Sequence, residues 1–537
     1  MSKVILDGNS LTIEDVVNVA RHYTPVEIAA ESRAEIIKVR DYIDEKWMQE
    51  ESAPVYGFNT GLGKLKNTTI EMAENELFQF NIVMSHCGGV GEPASEEVVR
   101  ATMLVRVNAF CQGVSGIRIE VIDRLLEMLN KKVHPVIPLQ GSVGASGDLA
   151  PLAHMVAALI GYPEAEAFYE GRRMPAVKAL EKAGITPLEF KLKAKDCLAL
   201  INGTTVFAGM AALNCYDAQK LILECEISAA LSLEAIRGER AAFEPGIHRV
   251  RKHKGQVDCA ENIRKIIDGS ERTSEEARKV NLKGDLLNQG HRPRVQDAYS
   301  FRCAPQVQGA VRDNLVYVNQ IITEEINAAT DNPLVFWDES EKLSFYSGGN
   351  FHGQSVAFVM DILCMSVAEL GSISERRTFN MLDPTLSYGL PANLAGHPSG
   401  LNYGYAIIAC TASALVSENK TLCAPASVDS IPTKSNQEDH VSMAPWAARK
   451  AKMVIDNVIK ILGIEYLVAA EAISLTRHQL GDFKLGSGTA AAYNRIRQDV
   501  EATSCDTYMP AQSTPMIKLV EGGQIKEAVE KKIGRLL

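Results

Sequence analysis

Four stretches of this chain carry apolar residues at helical spacing, and they restrict the fold more than any other feature. They run from about 205 to 237, 311 to 329, 354 to 382 and 447 to 477. They contain Ala, Leu, Glu and Ile rather than the β-branched alternation of a strand. Runs of about 20 to 30 residues are long enough for bundle helices that pack side by side. The stretches 205–237 and 447–477 hold too many apolar positions to stand in water. Each is therefore either central in one chain or covered by another subunit, and an oligomer with two-fold symmetry is expected. The expected fold is mainly α, a long-helix bundle with a smaller N-terminal domain. Irregular pieces rich in Gly, Pro, Asn and Ser separate the runs, at 283–305, 331–351, 384–401 and 424–445.

The first part of the chain has a different texture. Thr12 and Asp15 fit a helix start ahead of the apolar Val16, Val17, Val19 and Ala20. Helical segments then alternate with Gly-rich pieces at 56–63, 88–91, 113–116 and 141–147. Glycine at that density lets a backbone turn tightly or approach a ligand. Pro135 and Pro138 set up an extended entry into the last piece. A chain of 537 residues leads one to expect two or three sub-structures. The texture changes near residue 200, which divides the chain into 1–200 and 201–537 with no internal repeat and no flexible linker.

Composition narrows the function classes. Hydrophobic residues make up 46%, charged residues 23%, and the net charge is -10. A nucleic-acid or anionic-membrane surface needs clustered Lys and Arg. The one short basic cluster, at 249–254, reads as a solvated loop or helix face. Eleven cysteines are scattered singly with no Cys-x-x-Cys pair, which argues against a disulfide scaffold or a structural zinc site. Residues 1–9 lack the basic and apolar regions of a signal peptide. Apolar stretches such as 407–416 fall short of the roughly 20 residues a bilayer span needs. No His pair has metal-ligand spacing, so no metal is expected. These readings point to a cytoplasmic protein.

The segment 141–154, Gly-Ser-Val-Gly-Ala-Ser-Gly-Asp-Leu-Ala-Pro-Leu-Ala-His, carries the most chemical information. Ser146 could be a nucleophile on a tight turn. The nucleophile-elbow pattern Gly-x-Ser-x-Gly fails, however, because Gly147 follows Ser146 directly. A plain alternative is a Gly-rich turn before a helix, with Asp148 as helix cap.

The same segment resembles the active-site signature of the histidine and aromatic amino-acid ammonia-lyase family. Five further stretches match that family in order: Tyr56 to Gly63, Asn202 within Ile-Asn-Gly-Thr, Gln296 to Cys303, Ser347 to His352, and Glu438 to Met443. The likeness covers nearly the whole chain, from Leu6 to about Leu485, and implies a helical fold of the fumarase/aspartase type. It implies that Ala145, Ser146 and Gly147 cyclise to a 4-methylidene-imidazol-5-one. The Gly147 nitrogen attacks the Ala145 carbonyl and two waters leave. No external cofactor is then needed. Only Ser or Cys at the centre can lose its γ substituent to leave a double bond.

By the same resemblance, Tyr56 on a lid loop is the base for the β proton, and Arg302 holds the substrate carboxylate. An Arg fork suits a carboxylate better than Lys would. Tyr299, Asn202 and Gln296 orient the substrate, and Phe351 and His86 line the site. His154, His291, His352 and His440 read as hydrogen-bonding supports. Two positions bear on the substrate. Ser85-His86 looks like the histidine-type members, and Glu438 stands where phenylalanine and tyrosine lyases carry Gln. A carboxylate pairs with an imidazole N–H, whereas facing a phenyl ring it would be buried without a partner. L-Histidine, giving trans-urocanate, is the expected substrate. The alternatives are a tyrosine or phenylalanine ammonia-lyase, or an aminomutase. From other classes stand a Ser146 hydrolase and a non-catalytic scaffold, neither of which accounts for Tyr56, Tyr299 and Arg302 together. The resemblance also implies a homotetramer whose sites draw on more than one chain.

Overall fold

The computed structural model describes residues 3–49, 54–280, 282 and 295–537. His291 and most of the irregular stretch at 283–305 lie outside the described residues. The four apolar runs form the helices Thr205–Ala235, Ala304–Glu325, Gln354–Leu382 and Ala444–Thr476. The first of them is buried along nearly its whole length, so its apolar surface is covered within one chain. Short helices and small sheets make up much of the rest.

The described chain gathers into two compact units. The first holds residues 1–216, 318–361 and 425–449; the second holds 217–317, 362–424 and 450–537. They differ from a cut near residue 200 in that two later segments, 318–361 and 425–449, join the N-terminal part. Those segments carry much of the irregular chain between the long helices, and each of the four helices passes from one unit into the other.

In the first unit, Thr12 caps the helix Ile13–His22. Its hydroxyl accepts from the Asp15 backbone N–H at 3.0 Å, and the Asp15 carboxylate accepts from the Thr12 N–H at 3.2 Å. This reciprocal pair is worth about 1 kcal/mol. A hairpin of Leu334–Trp337 with Leu343–Tyr346 contributes Val335 and Leu343 to a core cluster with Val39, Ile43, Val55 and Phe58. Trp47 meets Phe58 edge to face at 5.5 Å. Val55 and Phe58 flank Tyr56, so the expected lid loop is rooted in packed core.

In the second unit, Arg377 pairs with Glu465, both fully buried. Glu465 also accepts from Ser228 at 3.0 Å, Ser232 at 2.7 Å and Ser374 at 2.6 Å. Three long helices are thus joined through one carboxylate whose acceptor sites are filled. The basic cluster at 249–254 is exposed at a junction between helices.

The expectation that every apolar stretch falls short of a bilayer span needs correction. The helix Gln354–Leu382, at 29 residues, is long and apolar enough by length and composition, and 67% of its most apolar window is buried inside the chain. The reason is internal burial: a core helix shielded on most sides has no need of polar residues there. Among the described residues, no cysteine forms a disulfide.

Candidate active site

The strand Pro138–Gln140, paired with Val90–Pro93, feeds the loop that ends in Ala145-Ser146-Gly147. Main-chain contacts hold this loop from three directions. Gly147 bridges Gly203 in parallel, and the Asp148 N–H donates to the Gly203 carbonyl at 2.7 Å. The Met443 N–H donates to the Val143 carbonyl at 2.9 Å, and the Gly353 N–H to the Gly144 carbonyl at 3.1 Å. The Ser442 hydroxyl also donates to the Gly144 carbonyl, at 2.8 Å. Two late segments of the sequence are thereby tied to the same turn. Gly147 must be glycine: its φ is +66°, and a Cβ there would overlap the Gly203 carbonyl.

The triplet is enclosed but not sealed. Ala145 and Gly147 are buried, and Ser146 is half-buried. The Asn202 side chain donates to the Ser146 carbonyl at 2.8 Å, while the Arg106 guanidinium donates to the Asn202 carbonyl at 2.9 Å. The buried Asn202 Oδ1 has no hydrogen-bond partner, nor do Nε and Nη2 of Arg106. Such orphaned polar atoms are costly in a packed interior and concentrate where function demands them.

Asp148 is a cap, but of a different helix from the one expected. It makes no side-chain bond to the helix Leu149–Leu159 that follows it. Its Oδ2 instead accepts from the Val206 N–H at 3.0 Å and the Phe207 N–H at 3.2 Å, at the start of the helix Thr205–Ala235. Burial pushes its carboxyl up to about 7, against the lowering pull of those two N–H groups, Ser142 and Arg106. The triplet and the start of the central helix thus share one buried acid.

Ser146 and Glu438 lie 292 residues apart in the chain and meet in space: the Ser146 hydroxyl donates to Glu438 Oε1. Lys434 Nζ donates to the same oxygen at 2.8 Å, and the Thr433 hydroxyl donates to Oε2 at 2.6 Å. Burial raises the Glu438 acid, but the bonds from Lys434, Ser146 and Thr433 outweigh it and leave it below the ordinary value. Glu438 is therefore a carboxylate at neutral pH. His86 ends the helix Asn75–His86, with Nδ1 2.8 Å from the Ile82 carbonyl. Burial holds its imidazole below its usual range, and the field of Lys434 adds to that while Ile82 and Glu438 oppose it. A neutral His86 donating from Nδ1 keeps the Nε2 lone pair free.

The other expected residues fall as follows. The Tyr56 hydroxyl accepts from the Gly63 N–H at 3.2 Å, which folds the lid loop onto itself. The turn Gly63–Leu65 then packs against Lys434–Asn436. Phe351 is half-buried in the loop that leads through Gly353 to the triplet turn. His154 Nε2 accepts from the Gly89 N–H at 3.1 Å, a supporting role as expected. His352 stacks on His440 at 5.5 Å. Among the described residues, no group of three or more His, Cys, Asp or Glu side chains could hold a metal. Gln296, Tyr299 and Arg302 belong to the second unit. There Tyr299 opens the single turn Tyr299–Arg302 and is 71% exposed. The Arg302 guanidinium lies 4.6 Å from the Tyr299 ring centre, and its Nε donates to the Asp297 carbonyl at 3.1 Å.

Lys434, Thr433, Arg106 and Ser442 were not among the expected site residues. Lys434 could have been noticed as a cation four residues before Glu438. That spacing carries weight only in an α-helix, and here Lys434 opens the single 3-10 turn Lys434–Asn436 with φ +47°, while Glu438 lies beyond it.

A long-helix scaffold that holds an Ala-Ser-Gly turn beside a carboxylate is that of a carbon–nitrogen lyase. The aromatic amino acid lyase family model matches residues 11–498, and the chain belongs to that family. It is 45% identical over 533 residues to a histidine ammonia-lyase of Alkaliphilus oremlandii, covering 99% of both chains. Among solved structures, a tyrosine aminomutase from Streptomyces globisporus has a TM-score of 0.90 at 35% identity, covering 99% of both chains. A histidine ammonia-lyase from Trypanosoma cruzi has a TM-score of 0.87 at 38% identity, covering 99% of this chain and 96% of that one.

Proposed function

We propose that this chain eliminates ammonia from L-histidine, leaving trans-urocanate, with an electrophile made from Ala145, Ser146 and Gly147. The observation that carries the substrate is the contact of Ser146 with the ionised Glu438. An imidazole N–H can donate to the acceptor position that this half-buried carboxylate keeps open, and a phenyl ring cannot. The curated relative named histidine ammonia-lyase, alike along the whole chain, supports the same substrate.

The residues present fit a 4-methylidene-imidazol-5-one. Gly147 and Gly144 adopt left-handed backbone, which lets the triplet fold back on itself, and Gly147 has an unhindered nitrogen. Asn202 is bonded to the Ser146 carbonyl with its own Oδ1 left unpaired. When formed, the group supplies an electrophilic methylene that makes the substrate nitrogen a better leaving group.

The protein's own side chains do the remainder. Arg302 binds the substrate carboxylate in bidentate fashion. Glu438 accepts the ring N–H, while His86 and Phe351 line the ring. Tyr56 takes the β proton. Tyr299, Asn202 and Gln296 orient the substrate and stabilise developing charge. We place the electrophile and lid in the N-terminal part, residues 1–200, and the bundle in 201–537. We further propose a cytoplasmic homotetramer with shared sites. The exposure of Tyr299, and of Phe358, Met365 and Phe379 along one helix, supports a covering neighbour.

The test joins product and mass. Purified protein given L-histidine should release ammonia and trans-urocanate in equal amounts, and the peptide containing residues 145–147 should be two waters lighter than its sequence. An intact triplet would refute the electrophile. A second reading, an aminomutase, is favoured by the likeness to the Streptomyces globisporus structure. It predicts a β-amino acid in place of urocanate.

A further inference from the structure

We propose that Lys434 determines which charge state of the substrate ring this site accepts: paired with Glu438, it presents an acceptor in a neutralised pocket and so selects an uncharged N–H ring over its cation. The inference rests on the histidine reading above and deepens it.

The geometry is the argument. An ionised carboxylate offers about four acceptor positions. In Glu438 three are used, by Lys434 and Ser146 on Oε1 and by Thr433 on Oε2. One position on Oε2 remains for a substrate, and loss of the Ser146 hydroxyl on cyclisation frees a second, on Oε1. Lys434 and Thr433 have no such exit and stay bound. The Glu438 side chain is 12% exposed, whereas that of Lys434 is 47% exposed. The cation thus reaches in from the solvent side while the anion faces the triplet. The loop is built to hold it there. Lys434 and Asn436 both have left-handed backbone, at φ +47° and +64°. Thr433 and Glu438 pair across the loop through the Thr433 N–H and Glu438 carbonyl at 2.9 Å.

The cation that bears most on this carboxylate is Lys434, from its own loop, and both act on His86 at the end of the helix Asn75–His86. Burial and the Lys434 field both hold the His86 imidazole below its usual range, against the pull of Ile82 and Glu438. With one cation already in place, a second on the substrate ring meets like charge. Without Lys434, Glu438 would keep the Thr433 hydroxyl but lose its cation, and an imidazolium would be the natural replacement.

The experiment measures kcat/KM for L-histidine at pH 7.5 and 5.5 in the wild type, K434Q and K434R. Free imidazole has a pKa of about 6.5, so its neutral fraction falls about tenfold across that range. The wild type and K434R should lose activity by about that factor. K434Q should lose at most about threefold, because it binds the cation as well. A merely structural lysine would lower activity equally at both pH values. Should K434Q turn over too slowly, calorimetric binding of L-histidine at the same two pH values gives the same comparison. K434Q tracking the wild type between the two pH values would overturn the proposal while leaving the histidine reading intact. A wild type that ignores L-histidine but deaminates L-phenylalanine or L-tyrosine would overturn the histidine reading itself.

Discussion

Glu465 and Glu438 are both glutamates paired with a cation, and the differences between them separate scaffold from site. Glu465 is fully buried, meets Arg377 through both oxygens, and accepts from three serines on neighbouring helical turns. It has nothing left to offer. Glu438 sits in an irregular loop with a half-exposed lysine, and keeps an open acceptor position. A saturated carboxylate holds helices in register, whereas an unsaturated one beside a reactive turn waits for a donor. Removing either should therefore fail in a different currency: stability for one, selectivity for the other.

The largest effect belongs to neither glutamate but to the group beside Glu438. S146A removes the only side chain that can become an electrophile. It should lower deamination by at least about a thousandfold while the protein stays folded, read by urocanate absorbance and by the full mass of the triplet peptide. E465Q comes next. It strands the buried Arg377 and should lower unfolding free energy by about 3–5 kcal/mol, measured by denaturant titration. The folded fraction should keep the wild-type preference among amino acids.

Asp148 gives the pH counterpart. Its carboxyl, ordinarily at 3.8, is pushed up to about 7 by burial. The folded chain therefore holds a proton that the unfolded chain releases, so stability falls as pH rises from about 4 to about 7. The decline from this one group is at most roughly 4 kcal/mol. D148N should remove that share of the slope in thermal midpoints taken across the window. Glu224, also buried and pushed up to about 7, retains its own share. An unchanged slope in D148N would mean that Asp148 is ionised in the fold.

E438Q should have the smallest effect on the whole molecule and the most selective one. It keeps the shape but loses the charge, so kcat/KM for L-histidine should fall about 10- to 100-fold. The thermal midpoint should shift little, and the preference against L-phenylalanine should narrow. If E438Q instead unfolded like E465Q, the contrast between the two glutamates would collapse.

The parts that the sequence disclosed are those governed by local periodicity or by a motif. The run expected at 354–382 is the helix Gln354–Leu382, because an apolar stripe on a long helix is written in consecutive residues. Thr12 and Asp15 cap as expected for the same reason. The Ala-Ser-Gly turn and Glu438 were legible through resemblance, and the structure brings them into contact. What stayed hidden depends on long-range geometry. Asp148 looked like a cap for the helix beside it, yet it caps one that begins 57 residues later in the chain, at Thr205. Lys434 is invisible until the loop turns through left-handed backbone and aims it at Glu438. The gathering of 318–361 and 425–449 with the N-terminal part likewise has no signature in composition.

The most direct test of the account compares initial rates of ammonia release from L-histidine, L-tyrosine and L-phenylalanine by the purified wild-type protein at equal concentrations. L-Histidine should be fastest by a wide margin, with urocanate as product. Equal or faster release from L-phenylalanine would contradict it, since Glu438 would then face a ring with nothing to donate; equal or faster release from L-tyrosine would contradict it too, since a phenol O–H rather than an imidazole N–H would fill that position.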